Sequence, residues 1–216
     1  MADDRAHYHA GVAKPRIYTK RGDDGTTGLL HGGRVAKDSW RIGLNGDIDE
    51  AQSVLGLARA EAAPGSELHQ LLTAVARDLY VVMAEVATLP AKRGKLTAGK
   101  SLVTEEMVSA LERRIDDLLE RFVMPSDFTI PGENRTSAAL DVARSVVRRA
   151  ERNAVAEPTD GSLVVPYLNR LSDLLWATAR WQEGEHVLSK QVGRPEQTGQ
   201  PEQAGRPEQT GRPEQT

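Results

Sequence analysis

Five stretches of this chain repeat apolar residues every three or four positions, and none shows sustained alternation of apolar and polar residues. A helix has a period of 3.6 residues and a half-buried strand a period of two, so the pattern predicts helices and no sheet of any size. Five one-sided helices must bury their stripes against one another. Because the connections between them are short, neighbours run antiparallel, and the expected fold is all-α, a five-helix up-and-down bundle. A length of 216 residues suffices for one domain with a sizeable core plus tails.

The first helix is expected from about Asp47, where Asp47 and Glu50 have capping-box spacing, with Ile48, Ala51, Leu55 and Ala58 inward. The second opens at Ser66, repeats Leu68, Leu72, Val75, Leu79, Val82 and Val86, and is stopped by Pro90. The third starts at Thr104 with Glu105 and Glu106 in its first turn, follows Val108, Leu111, Ile115, Leu118 and Phe122, and ends near Pro125. The fourth runs from about Thr136 to Ala156, with Val142, Val146, Ala150 and Ala154 toward the core. The fifth spans about Val165 to Val187. It has Leu168, Leu171, Leu175 and Thr178 on one side and Asn169, Asp173, Trp176 and Arg180 on another, which leaves a polar face to be accounted for.

The ends differ in character. Met1 to Ala13 is polar and lacks the apolar core of a signal peptide, and no run has the length and apolarity of a membrane span. From Gly193 to Thr216 the chain is four hexapeptides, GRPEQT, GQPEQA, GRPEQT and GRPEQT, with no large apolar side chain to offset the entropy of ordering. The expected organisation is therefore a flexible segment at 1–13, one helical domain at 14–190 and a disordered tail at 191–216, in a soluble cytoplasmic protein. A formal net charge of −3 argues against a general nucleic-acid binder. The absence of cysteine excludes disulfides, zinc–thiolate sites and a thiol nucleophile. The five histidines have no ligand spacing, so a metal site built by the protein alone is not expected.

The fourth helix carries the chemistry. Arg144, Arg148, Glu151 and Arg152 fall within one sector of about 100°, away from the apolar stripe, and Arg149 stands beside them. Guanidinium groups a turn apart make a field of donors suited to a polyphosphate, or to carboxylates from another segment. A solvated face with internal ion pairs would read the same way. Ahead of the first helix, Thr19-Lys20-Arg21-Gly22-Asp23-Asp24-Gly25-Thr26-Thr27-Gly28 is a glycine-punctuated loop whose N–H groups and Lys20 can turn toward phosphate oxygens. It is not a Walker A sequence, and such a loop can also be an ordinary turn. Arg34 and Lys37 add positive charge. Asp49 and Glu50 sit where helix capping could explain one of them, with pairing to the arginines as a second demand. In Asp127-Phe128-Thr129-Ile130-Pro131-Gly132-Glu133, one of only two phenylalanines lies outside the helical repeats, either filling core or walling the pocket of a large planar ligand.

Taken in order, the TKRGDDGTT loop, Asp49-Glu50-Ala51-Gln52, the Phe128 turn, Ala143-Arg144 through Arg152, and Tyr167-Leu168-Asn169-Arg170-Leu171-Ser172-Asp173-Leu174-Leu175-Trp176 resemble the PduO-type family of ATP:corrinoid adenosyltransferases from about Ile17 to Arg180. Gln52, Glu133 and Trp176 depart from that family's pattern, which bears on corrinoid preference. The resemblance implies a homotrimer of five-helix bundles with sites between subunits. It implies transfer of the 5′-deoxyadenosyl group of ATP to the cobalt of reduced cob(I)alamin, giving adenosylcobalamin and triphosphate with Mg²⁺ on the phosphates. It assigns ATP binding to Thr19, Lys20, Arg21, Gly22, Thr27, Lys37, Arg148, Arg149, Glu151, Arg152 and Asn169, with Arg148 foremost at the triphosphate. Asp49 and Arg144 match an ion pair between subunits, and Phe128 the aromatic that covers the lower face of the corrin. An adenosylcobalamin-dependent acceptor enzyme is a further implied partner. Two other readings stay open: a helical interaction protein with a basic helix, which explains neither the loop nor the order of the blocks, and a family member without catalysis that carries corrinoid.

Overall fold

A computed structural model describes residues 17–190. Five long helices, α1 (Trp40–Glu61), α2 (Glu67–Val86), α3 (Glu105–Leu119), α4 (Arg135–Ala156) and α5 (Val164–Glu183), run alternately up and down, with their connections at the two ends. Before them, β1 (Thr26–Gly28) and β2 (Arg34–Ala36) pair antiparallel, and a 3₁₀ segment covers Pro90–Lys95. The bundle is the expected architecture. The small hairpin is an addition that its three-residue strands are too short to announce by alternation.

Local chemistry sets the helix starts. Ser66 accepts from the His69 N–H and Thr104 from the Met107 N–H, each satisfying a donor that the first turn leaves open. At α4 the cap is Asn134, in a reciprocal box with Ser137, so the helix starts at Arg135, one residue ahead of the expected start. Helix α2 ends at Val86, the last apolar residue of its repeat before Pro90, whereas α3 and α5 end earlier than expected, at Leu119 and Glu183 rather than near Pro125 and Val187. Gly184, at φ 75°, takes the chain out of α5.

Helix α1 corrects the sequence reading. It begins at Trp40, seven residues before Asp47, so Asp47, Asp49 and Glu50 lie inside the helix and cap nothing. Gly43, Asn45 and Gly46 lower the helix propensity of this stretch, and packing overrides them. Leu44 continues the Ile48, Ala51, Leu55 stripe into the core, and the Trp40 indole donates to the Asn153 carbonyl of α4 at 2.6 Å. Asp47 completes the seam between α1 and α4 by accepting from Arg149 Nε at 2.8 Å and from Asn153.

The core is continuous along all five helices, from Leu44 and Ile48 through Leu72 and Leu79 to Val147, Leu168, Leu171 and Leu175. Each such burial contributes about 1.5 to 3 kcal/mol relative to exposure. Val142, expected inward, is 52% exposed. The stripe centres on Ala143, Val147 and Ala150, and Val142 lies about 100° round the helix from Ala143. At the end of the bundle near the hairpin, the buried Glu85 carboxylate accepts from Arg93 Nη1 (2.7 Å), Ser162 Oγ (2.6 Å) and the Val103 N–H (2.7 Å), joining three separate segments.

Candidate active site

The expected site residues divide between three places. The first is the loop before the hairpin. Lys20 holds a left-handed φ of 60° and Gly25 one of 79°, and Asp24 accepts from both the N–H and the hydroxyl of Thr26. Those bonds to Thr26, backbone first, hold the Asp24 carboxyl below its ordinary value. A Cβ on Gly22 would stand 3.0 Å from Cε and Nζ of Lys37, so glycine there is what lets the lysine cross the loop. Arg34 donates to Thr26 Oγ1 and to the Arg21 carbonyl, pinning the loop to β1. Thr27 is paired with Val35 in the hairpin, while Thr19, Lys20 and Arg21 are exposed. The hairpin docks on the end of α2, where the Leu30 N–H donates to Ala87 O and Lys92 Nζ donates to the carbonyls of His31 and Gly32.

The second place is the polar face of α4 with the start of α5. Its arginines have different fates. Arg149 donates to Asp47 and Glu50 of α1 within the same chain. Arg144 donates to Asp141 Oδ1, three positions back on the same helix, at 3.3 Å. Arg148 and Arg152 are exposed and have neither hydrogen bond nor ion pair among the described residues. Glu151 Oε1 accepts from Asn169 Nδ2 at 2.8 Å, and Arg170 donates to Asn169 Oδ1 at 2.6 Å, so the Asn169 amide is fixed between the two helices. Asp49 is exposed and also has no partner among the described residues. No hydrogen bond or ion pair joins the loop at 19–28 to α4 within the chain, among the described residues.

The third place is at the opposite end of the bundle, where Phe128 is 84% exposed at the rim of a cavity of about 580 Å³. The wall includes Thr129, Asp141, Arg144, Trp176 and Arg180. The Phe128 loop is tied to the chain beyond α5: Ile130 N donates to Val187 O, Ser189 N donates to Phe128 O, and Thr129 and Leu188 form an antiparallel bridge. Under the loop lies Arg180, 1% exposed. Burial opposes its charge, but Glu183 and Asp141 outweigh burial and hold the guanidinium above its ordinary value. No local pattern assigns Arg180 a role, because its partner Asp141 is 39 residues away on another helix. Arg144 and Arg152 are eight residues apart on α4, about 12 Å along the axis at 1.5 Å per residue. The bare cations and the cavity therefore occupy successive stretches of one surface.

An all-α bundle with uncompensated arginines leading to an open, aromatic-rimmed cavity defines a class that can hold a polyphosphate beside a large planar partner. The chain belongs to the cobalamin adenosyltransferase family, whose model matches residues 17–182. It is 41% identical over 171 residues to the corrinoid adenosyltransferase of Citrobacter freundii, covering 78% of this chain and 95% of that one. It is 39% identical to that of Bacillus subtilis (strain 168), covering 76% and 85%. In structure it is similar to a point variant of the PduO-type ATP:corrinoid adenosyltransferase from Lactobacillus reuteri complexed with cobalamin and ATP, with a TM-score of 0.73 and 28% identity over 82% of this chain and 97% of that chain. Its activity is ATP-dependent adenosylation of a corrinoid. No helix among the described residues is long and apolar enough to cross a membrane.

Proposed function

We propose that Arg148 and Arg152 hold the triphosphate of ATP while the cavity beside Phe128 holds the corrin, so that C5′ is presented to cobalt along the face of α4. One observation carries this reading: these two arginines lack carboxylate partners among the described residues, whereas Arg144 and Arg149 of the same helix have them. Cobalt(I) supplies the electron pair. The Co–C5′ bond forms as the C5′–O bond breaks, and the pair leaves on an intact triphosphate. The protein therefore needs no nucleophile of its own, only orientation and stabilisation of charge on the leaving oxygens. Glu151 and Asn169 present a fixed polar edge next to the arginines, suited to the nucleoside. Magnesium is expected to ride on the phosphates, which are its ordinary ligands, since the described residues offer no group of three acidic or histidine side chains to cage it.

Thr19, Lys20, Arg21, Gly22, Thr27 and Lys37 complete the nucleotide site from a neighbouring subunit of a homotrimer. The separation of the loop from α4 within one chain supports this, as does Asp49, exposed and unpaired among the described residues. In the trimer Asp49 joins the Arg144 of a neighbour, which Asp141 already orients. The catalytic unit is assigned to residues 14–190 and placed in the cytoplasm, supplying an adenosylcobalamin-dependent enzyme. The expectations for segments 1–13 and 191–216 lie outside the described residues.

Arg148→Ala tests the assignment. Loss of one preorganised charged donor from a developing anion costs roughly 3 to 4 kcal/mol, so turnover of ATP and reduced cobalamin should fall by about a hundredfold or more, with native circular dichroism. Activity near wild type would make the α4 face structural. Release of pyrophosphate in place of triphosphate would rule out direct displacement at C5′.

A further inference from the structure

The polar face of α5 ends in a buried cation that the reaction itself does not use. Arg180 Nη1 donates to Thr129 Oγ1 (2.7 Å), and Nη2 donates to Asp141 Oδ2 (2.6 Å) and Glu183 Oε1 (2.7 Å). Asp141 spends its other oxygen on Arg144, and the other oxygen of Glu183 lies 2.7 Å from Arg180 Nε and 3.1 Å from His186 Nδ1. The guanidinium also lies 5.7 Å from the centroid of the Trp176 ring, in the wall of the same cavity. One rigid fork thus connects the loop residue next to Phe128 with the helix that carries Arg144.

From this geometry we infer that Arg180 is a positioning residue for the corrinoid half of the reaction: through Thr129 and Asp141 it fixes the Phe128 loop against Arg144. The inference rests on the reading of the cavity as the corrinoid site. Two features separate it from plain core packing. A side chain that only joined α4 to α5 would need Asp141 and Glu183, not a hydroxyl on a loop that is otherwise mostly exposed. The bond to Thr129 also ties this segment to α5 itself, whereas its other ties, the bridge to residues 187–189 and the Asp127–Lys190 ion pair, run to the chain beyond that helix. A planar guanidinium can serve three acceptors at fixed angles, and the ammonium of lysine, a single point charge on a flexible stem, cannot reproduce that arrangement. Groups that hold a reacting side chain in place from behind commonly set affinity or rate by tenfold or more without touching substrate.

Thr129→Val in the full chain is the sharpest test, because it deletes the loop acceptor and keeps the shape. The expected result is a rise of roughly tenfold in the KM for reduced cobalamin, the size typical of losing a hydrogen bond to a charged group. The KM for ATP should stay within about twofold, while the melting temperature should fall by about 2 to 6 °C because Arg180 Nη1 loses its acceptor. The fraction of ATP-bound cob(II)alamin in the four-coordinate form, read by electron paramagnetic resonance, should fall in parallel. Thr129→Ser, which restores the hydroxyl, should restore both. Arg180→Lys should move the corrinoid readouts the same way, with an added loss of stability. An unchanged corrinoid KM in Thr129→Val, an equal rise in both KM values, or failure of the serine to rescue would each overturn the inference. If the wild-type protein forms no adenosylcobalamin from cobalamin, the functional reading has failed, which is a different outcome.

Discussion

Glu85→Ala should be among the most destabilising single substitutions in this chain. The carboxylate is 3% exposed and takes three donors at 2.6 to 2.7 Å from residues 93, 103 and 162. Removing one member of a buried ion pair costs about 3 to 5 kcal/mol, and an orphaned buried N–H about 1 to 3 kcal/mol. The terms do not simply add. Arg93 keeps 21% of its side-chain surface in water and can be partly rehydrated, whereas Val103 is buried and its N–H would have no substitute partner. An overall loss of about 4 kcal/mol follows, a large part of the stability of about 5 to 15 kcal/mol of an ordinary domain. For a unit of this size it corresponds to roughly 8 to 16 °C in melting temperature. Glu85→Gln should lose less, about 2 kcal/mol, because one amide oxygen remains but its NH₂ must face a donor. Urea titrations at constant slope give these values directly. In a cycle with Arg93→Met, the double variant should lose clearly less than the sum of the singles, since the second change removes the cation stranded by the first. A loss below about 1 kcal/mol for Glu85→Ala, or strict additivity in the cycle, would refute the claim that this carboxylate ties the end of the bundle together.

Two further outcomes are expected. Asp78 is half-buried, and burial raises its carboxyl pKa above 3.8 against the lowering effect of the Tyr167 hydroxyl, which donates to it at 3.1 Å. A folded pKa above the unfolded one means that the charged form destabilises the fold at neutral pH and that the penalty vanishes below both values. Asp78→Asn should therefore melt higher than wild type at pH 7, with the gap closing as pH falls through the raised pKa toward 3.8. A gap that widens toward low pH would reverse the assignment. Mixing inactive Asp49→Asn and inactive Arg148→Ala subunits should recover activity, since some interfaces would then combine two intact halves; none after verified subunit exchange would place each site within one chain.

Helices α2 to α5 were legible because their signals are local: Ser66 and Thr104 cap where a polar side chain meets the first apolar turn, and each stripe keeps its period. The start of α1 was not, because Gly43 and Gly46 lower the helix propensity of its first turns and the Trp40 indole finds its acceptor on α4, 113 residues away. The arginine face was legible as a face but not residue by residue. Arg148 and Arg149 are neighbours in sequence, yet about 100° of helix rotation turns one to solvent and the other to Asp47. Arg144 meets an acid on its own helix, Asp141, three positions back, whereas its i+4 and i−4 positions hold Arg148 and Leu140. Phe128 stood out by lying off the helical repeats, and its exposure agrees. What sequence could not reach was the convergence of residues 129, 141, 180 and 183 on one guanidinium, because nothing local marks which buried arginine will meet which loop.

The bridge between Thr129 and Leu188 sets an order in time. Synthesis delivers the Phe128 loop and then the arginines of α4 and Asn169 of α5, but the strand that edges that loop comes only with residues 187–189. A growing chain can thus fold its bundle and expose its bare cations before the second pocket has its rim. The same holds in reverse for damage: a single cut at exposed Gly184 would free the edge of the pocket while leaving five helices and the Glu85 knot intact. Such a nicked protein would still be expected to bind nucleotide, and it would be the corrinoid that it had lost the means to hold.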